Sequence, residues 1–207
     1  MRRSLEYSSI KPKIPIILAS GSESRKVMLE EAGLEFSVVI SDTDEESLKN
    51  KISSLPFSEQ VVHLAKAKAQ SISMQNKEAV VIGGDQMCVL DQTIFNKPGN
   101  KDKAIENLKL LSGKMHFQNS GVCIFLNNNC LWEHSETVEL QMHDLSDDEI
   151  KNYVEIENPI QAAGAYKFES LGCNLFSSVK GSSYTVRGMP LLPLLNALRE
   201  LQIISLK

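Results

Sequence analysis

The sequence contains few cysteines and no long hydrophobic run. Its 207 residues include 4 cysteines, which show neither the close pairs of a zinc site nor the dense spacing of a disulfide scaffold. The basic N-terminal residues lead only into the short apolar stretch 14–19, which is too short for the core of a signal peptide or for a membrane span. We therefore expect reduced thiols, a cytoplasmic protein and no contact with a membrane.

The sequence also lacks a strong charge of either sign. Its formal net charge is -4, which creates no general field that would attract a nucleic-acid polymer. A phosphate-binding loop of the G-x-x-x-x-G-K-[ST] type is absent as well, and so are internal repeats and low-complexity segments. These absences favour a small-molecule ligand, held by a local cluster of side chains.

The pattern that is present predicts an α/β fold with a mixed, twisted sheet and flanking helices. Apolar residues make up 42% of the chain, enough to build the core of a single domain over 1–207, with 1–13 as a loosely ordered N-terminal extension. Periodicity predicts strands over 14–19, 34–41, 79–91 and 173–179, a hairpin over 116–143, and helices over 23–32, 56–74, 100–113, 146–155 and from 190. The hairpin argues for a mixed sheet rather than an all-parallel one.

Three details of this prediction bear on the site. Ser58 is expected to cap the helix over 56–74. The acidic segment 42–46 is expected to form a loop, and Gly83 and Gly84 to interrupt the strand that contains them.

A short segment after the first predicted strand has the composition of an anion site. Ser20, Gly21 and Ser22 form a tight turn between strand and helix, which presents main-chain N–H groups and the positive end of the helix dipole together. Arg25, one turn into the helix, can contact two phosphate oxygens with its guanidinium. The same residues also fit a simple helix cap at Ser22 with a solvated Arg25.

Charged side chains occur at three further element ends or helix faces. Lys68 lies on the apolar stripe of the helix over 56–74, so its ammonium either reaches out to solvent or points into a cleft. Asp85 follows two glycines that let other groups approach the backbone, and Lys97 precedes a Pro-Gly turn. With Glu45, these residues offer cations for phosphates, and carboxylates that hold a metal or orient water.

The order of these motifs resembles the Maf-like nucleotide pyrophosphatases over nearly the whole chain. The similar segments are, in order, ILASGSESRKVMLEEAGLEF, SDTDEE, HLAKAKAQS, GGDQMCVLD, FNKPGN, KLLSGKMH, AGAYKFESLG and VRGMPL. The resemblance implies a two-lobed α/β body around a nucleotide-binding cleft. It also implies hydrolysis of nucleoside triphosphates to the monophosphate and pyrophosphate, with Mg²⁺ or Mn²⁺ as cofactor.

The same resemblance assigns roles to individual residues. It implies that Asp85 is the proton acceptor, that Glu45 is a second catalytic carboxylate, and that both bind the metal. The substrate-binding residues are then Ser20, Ser22, Arg25, Lys68 and Lys97.

Two of three specificity positions resemble the branch of the family that acts on 7-methyl-GTP. Gln86 and Glu169 match this branch, whereas the branch for dTTP and UTP carries threonine and glutamine there. A carboxylate at 169 can accept both N1–H and N2–H of guanine, and its charge complements the methylated ring. Ser24 departs from the branch, which has a tryptophan suited to stacking on a cationic base.

Two alternatives to this function stay open at this point. One is a pyrophosphatase that prefers dTTP or UTP, and the other is a nucleotide-binding regulator of cell division or septum formation. A homodimer is compatible with the sequence.

Overall fold

The computed structural model describes residues 10–205. Its seven strands are β1 (Ile16–Ala19), β2 (Ser37–Val38), β3 (Val80–Leu90), β4 (Thr93–Phe95), β5 (Met115–Leu126), β6 (Asn129–Met142) and β7 (Phe176–Lys180). Its α-helices are α1 (Glu23–Glu31), α2 (Glu45–Ile52), α3 (Phe57–Ser73), α4 (Lys101–Leu111), α5 (Asp147–Glu157), α6 (Ser183–Val186) and α7 (Leu191–Glu200). Two short 3₁₀ helices span Ala163–Ala165 and Leu171–Leu175.

All seven strands form one mixed sheet. Its strand order is β2-β1-β3-β5-β6-β7, and β4 pairs with β3 outside this path. β1 runs parallel to β2 and β3, while β3, β5, β6 and β7 are antiparallel neighbours. The predicted mixed α/β fold is therefore confirmed, because local hairpins and crossover connections occur in the same sheet.

Four local predictions differ from the structure. The strand predicted over 34–41 is reduced to Ser37–Val38. The acidic segment is not all loop, because α2 begins at Glu45 after an Asp44 side chain that accepts from the Ser47 N–H. Helix α3 is not capped by Ser58: Pro56 occupies the N-cap position, and the helix begins at the next residue. Strand β3 runs without a break through its glycines, because β5 pairs with it continuously over 80–89.

Strand β3 has a gap along one edge. β1 pairs with residues 80–83 and β4 pairs with residues 88–90, so no strand in the described chain covers 84–87 on that side. The turn after β1 and the segment after β4 flank this gap. Side chains from both faces of the sheet can therefore reach the same opening.

Helix α3 packs directly against β3 and β5 because both strands carry a glycine beneath it. A Cβ added at Gly83 would lie 2.2 Å from the Ala65 carbonyl oxygen, and one added at Gly121 would lie 2.6 Å from the Val61 carbonyl carbon. The expectation that the glycines near Asp85 allow close approach is confirmed. This close packing sets how near Lys68, on α3, comes to the sheet.

Two apolar clusters lie towards opposite ends of β3. Ile82 belongs to one cluster with Leu29 of α1, and Cys88 belongs to the other with Leu108 of α4. Asp85 lies between these positions along the strand. The polar middle of β3 is thus supported by packed side chains on either side.

Most of the predicted N-terminal extension, 1–9, lies outside the described residues. Of the remainder, Ile10 bridges to Leu34, and the Lys13 N–H donates to the Ile203 carbonyl at 2.9 Å. No helix within 10–205 is both long and apolar enough to cross a membrane.

Candidate active site

The serines of the turn between β1 and α1 contact Arg25, which lies in the first turn of α1. The Ser22 side chain caps α1 by accepting from the Arg25 main-chain N–H, as one of the two interpretations proposed. The Arg25 side chain, however, is buried, and its Nη1 donates to Ser20 Oγ at 3.0 Å. The interpretation of Arg25 as a solvated side chain is therefore wrong.

The guanidinium of Arg25 lies against two glycines. Its Nε donates to the Gly188 carbonyl at 2.8 Å, and a Cβ added at Gly84 would lie 3.1 Å from the same Nε. Burial lowers the pKa of Arg25, while the carboxylates of Asp85 and Glu45 act in the opposite direction. Arginine remains charged despite such a shift, so Arg25 places a fixed cation beside β3.

Lys68 forms ion pairs with both predicted catalytic carboxylates. Its Nζ lies 2.6 Å from Asp85 Oδ1 and 2.9 Å from Glu45 Oε1. The Lys68 side chain is 12% exposed and that of Asp85 is 9% exposed, so this pair is largely removed from water. Of the two orientations considered for Lys68, the structure shows the one in which the ammonium points into the cleft.

Glu45 lies where several cations act on it. Burial alone would raise the pKa of Glu45. The hydrogen bond from Lys68 and the positive charges of Lys68, Lys49 and Lys97 have the larger combined effect, so the pKa lies below its usual value. Glu45 is therefore ionised at neutral pH. Lys49 was not singled out from the sequence, because nothing in the motifs distinguishes it from a solvated lysine on a helix.

All ten side chains singled out from the sequence line one cleft. Its volume is about 1050 Å³, and its walls also include the end of β1 and the segment around Phe95. These boundaries coincide with the gap along β3. Because Asp85 and Gln86 are neighbours in a strand, their side chains leave opposite faces of the sheet and still border the same cleft.

The three specificity positions differ in how firmly they are held. Gln86 Nε2 donates to the carbonyls of Thr185 and Val186, at 3.0 and 2.8 Å, and Ser24 Oγ donates to the Arg187 carbonyl at 2.9 Å. Glu169 is exposed at the cleft wall. Two of the three positions are thus anchored to the last residues of α6 and to Arg187, which follows it.

A buried polar network on the cleft wall was missed in the sequence. Gln118 Nε2 donates to the Tyr166 hydroxyl at 2.8 Å, and His116 Nε2 lies 3.0 Å from the same oxygen. Burial lowers the pKa of His116 to about 4, so the ring is neutral at pH 7 and Nε2 can accept the hydroxyl proton. The main-chain carbonyls of residues 185–188, which accept hydrogen bonds from the site, could not be predicted either, because main-chain contacts do not depend on residue type.

A family model and individual relatives match this chain over most of its length. The family model described as Maf-like protein matches residues 15–201. A protein named nucleoside triphosphate pyrophosphatase from Legionella pneumophila is 42% identical over 192 residues, covering 93% of this chain and 96% of the relative. A protein of the same name from Gluconobacter oxydans is 38% identical over 195 residues, covering 92% and 96%.

A solved structure is also similar to this chain, though weakly. A HAM1 protein from Coxiella burnetii has a TM-score of 0.40 and 14% sequence identity, covering 64% of this chain and 74% of that one. The fold described above rests on the strand pairing, without support from this likeness. The length of the family match and the identity to the curated relatives together show that the chain belongs to the Maf-like protein family.

Proposed function

We propose that this chain is a nucleoside triphosphate pyrophosphatase, which hydrolyses its substrate to a nucleoside monophosphate and pyrophosphate. The observation that carries the proposal is the convergence of Arg25, Lys68 and Lys97 with Asp85 and Glu45 in one cleft. The names of the curated relatives support the same activity. The reaction breaks the anhydride bond between the α- and β-phosphates, and this needs cations for the phosphates and a base for water.

The proposed mechanism gives each charged group a separate task. Asp85 accepts the proton of the attacking water, and the Lys68 ammonium, 2.6 Å from Oδ1, holds the carboxylate in position. Arg25 and Lys97 enter from opposite sides of the gap and stabilise negative charge on the phosphates. Ser20 holds the Arg25 guanidinium in place through Oγ.

The residues also fit a divalent cation. Within the described chain, no three His, Cys, Asp or Glu side chains cluster so as to hold a metal alone. Mg²⁺, however, is usually bound by one or two carboxylates together with substrate phosphates. Asp85 and Glu45 would provide those carboxylates, and the metal would neutralise phosphate charge when bound.

The proposed activity has a direct test. Purified protein is incubated with a panel of triphosphates and either Mg²⁺ or Mn²⁺, and released pyrophosphate and nucleoside monophosphate are measured. We expect equal amounts of the two products from at least one nucleotide, and none when the metal is chelated. Release of inorganic phosphate without pyrophosphate would contradict the proposal, and binding without turnover would favour a regulatory protein.

Within this activity we infer a preference for 7-methyl-GTP. Glu169 lies on the cleft wall, and its carboxylate can accept the two adjacent donors of the guanine edge. The positive charge that methylation adds to the ring favours an anion nearby. Ser24 cannot stack on that ring, so the preference over GTP is expected to be smaller than a site with an aromatic residue would give.

The preference predicts opposite effects for two substitutions. Glu169→Gln is expected to lower kcat/KM for 7-methyl-GTP by about tenfold and to leave dTTP and UTP nearly unchanged, because only the guanine edge loses an acceptor. Ser24→Trp is expected to raise the ratio of 7-methyl-GTP to GTP, since it adds a stacking surface. Steady-state kinetics with four nucleotides measure both effects. Equal losses on all four nucleotides in the Glu169 variant would show that this residue supports the whole site.

Three expectations from the sequence stay predictions. They are the single domain over the full length, the cytoplasmic location and the homodimer.

A further inference from the structure

The main-chain groups of Gln86 face the gap along β3. The Val80 N–H donates to the Pro15 carbonyl on the β1 side at 2.9 Å, so even-numbered residues of β3 present their N–H and C=O groups to that edge. The pairing of β3 with β5 has no bulge over 80–89, so this alternation holds through 86. β1 pairing ends at Gly83 and β4 pairing begins at Cys88, and within 10–205 the Gln86 N–H donates to no main-chain or side-chain acceptor.

The side-chain donors of Gln86 and Ser24 already have acceptors within the protein. Both hydrogen bonds of the Gln86 amide use Nε2, which donates to the carbonyls of Thr185 and Val186. The Ser24 hydroxyl donates its proton to the Arg187 carbonyl. A carboxylate at Glu169 has no proton to donate. A base that presents an acceptor to these residues therefore needs another donor. Lys167 and Arg187 also line the cleft, but Lys167 Nζ donates to the Glu157 carbonyl and Arg187 Nη2 pairs with Glu31, whereas the Gln86 N–H has no partner within 10–205.

We propose that the Gln86 main-chain N–H donates to the exocyclic carbonyl oxygen of the base, O6 of guanine or O4 of uracil and thymine. The site then takes nucleotides with a keto group at this position. Adenine and cytosine carry an amino group there, so two donors would face each other. This inference rests on the proposed function and adds the class of base that the cleft accepts.

The position of this N–H is fixed before the substrate binds. The flanking residues Asp85 and Met87 pair with β5, and the Gln86 side chain is held by the last two residues of α6. A donor that cannot rotate distinguishes an acceptor from a donor better than a mobile side chain, which can turn away from the wrong base. The wild type is therefore expected to hydrolyse ATP and CTP at least about tenfold less efficiently than the better of GTP and UTP.

The test removes the donor and the acceptor separately. Gln86 is replaced by its α-hydroxy acid, which changes the amide N–H to an ester oxygen and keeps the side chain. The acceptor is weakened by using 6-thio-GTP in place of GTP, or 4-thio-UTP in place of UTP, whichever parent the wild type hydrolyses faster. Pyrophosphate release gives kcat/KM for all four combinations, and the same replacement at Met87, whose main-chain N–H faces β5, provides the matched control.

The two single changes are expected to be non-additive. The ester at 86 should lower kcat/KM for the parent nucleotide by about tenfold and leave the thio-nucleotide unchanged. The ester at 87 should affect both nucleotides equally, because it removes only a sheet hydrogen bond. Equal losses with the ester at 86, or ATP hydrolysed as well as GTP and UTP, would overturn the inference. A wild type that releases pyrophosphate from no triphosphate would overturn the proposed function instead.

Discussion

Replacing Asp85 by asparagine is expected to abolish most of the hydrolysis while leaving nucleotide binding intact. The amide keeps the shape of the side chain and an oxygen for Lys68, which lies 2.6 Å from Oδ1, but it cannot accept a proton from water. Loss of a general base typically lowers the rate by about 100-fold to 10,000-fold. Single-turnover pyrophosphate release measures the loss, and titration with a non-hydrolysable triphosphate measures binding.

Asp91→Asn is a suitable control for this experiment. Asp91 is exposed in the turn after β3, and its φ of 55° is one that asparagine also tolerates. This variant loses the same charge outside the cleft, so its activity should equal that of the wild type. If the Asp85 variant retained full turnover, the base would have to be another group, and Glu45 would be the next to test.

Gly83→Ala is expected to destabilise the protein strongly. The new Cβ would lie 2.2 Å from the Ala65 carbonyl oxygen and 2.8 Å from Ala69 Cβ, so α3 must move away from the sheet. Overpacking of this kind costs roughly 3 kcal/mol. For a chain of this size, that corresponds to a fall in Tm of about 6 to 12 °C, which thermal unfolding followed by circular dichroism would detect.

Gly84→Ala is the control for this experiment, because it also replaces a glycine of β3 but causes no clash with the α3 backbone. Its Cβ would point to the opposite face and meet the Arg25 side chain at 3.1 Å. The side chain can shift, so Tm should fall much less than in the Gly83 variant, while KM should rise because Arg25 is displaced from its Gly188 contact. Equal changes in Tm for both variants would contradict the role given to α3.

The sequence predicted those elements whose pattern is strong along the chain. The long strands and α3 have clear apolar periodicity, and their positions are confirmed. Helix α2 was missed because only Ile52 of it is buried, so it has almost no apolar stripe. The cap at Ser58 was wrong because Pro56, with its fixed φ, already suits the position before the first helical residue.

The residues of the candidate site could be selected from the sequence, but their contacts could not. Lys68 had two possible orientations, and the choice depends on how closely α3 approaches the glycines of two strands. The salt bridges to Asp85 and Glu45 then follow from that distance. The gap along β3 depends on where two other strands stop, and this information is spread over distant parts of the chain.

Asp85 and Gln86 are consecutive residues of β3, and their side chains point to opposite faces of the sheet. The Asp85 side chain faces Lys68 of α3, and the Gln86 side chain faces the end of α6. Because both residues belong to β3, the distance between them does not depend on the surface loops around the cleft. A slip of β3 by one residue against β5 would exchange the two faces. The register of β3 against β5 thus fixes which face of the sheet each of the two side chains occupies.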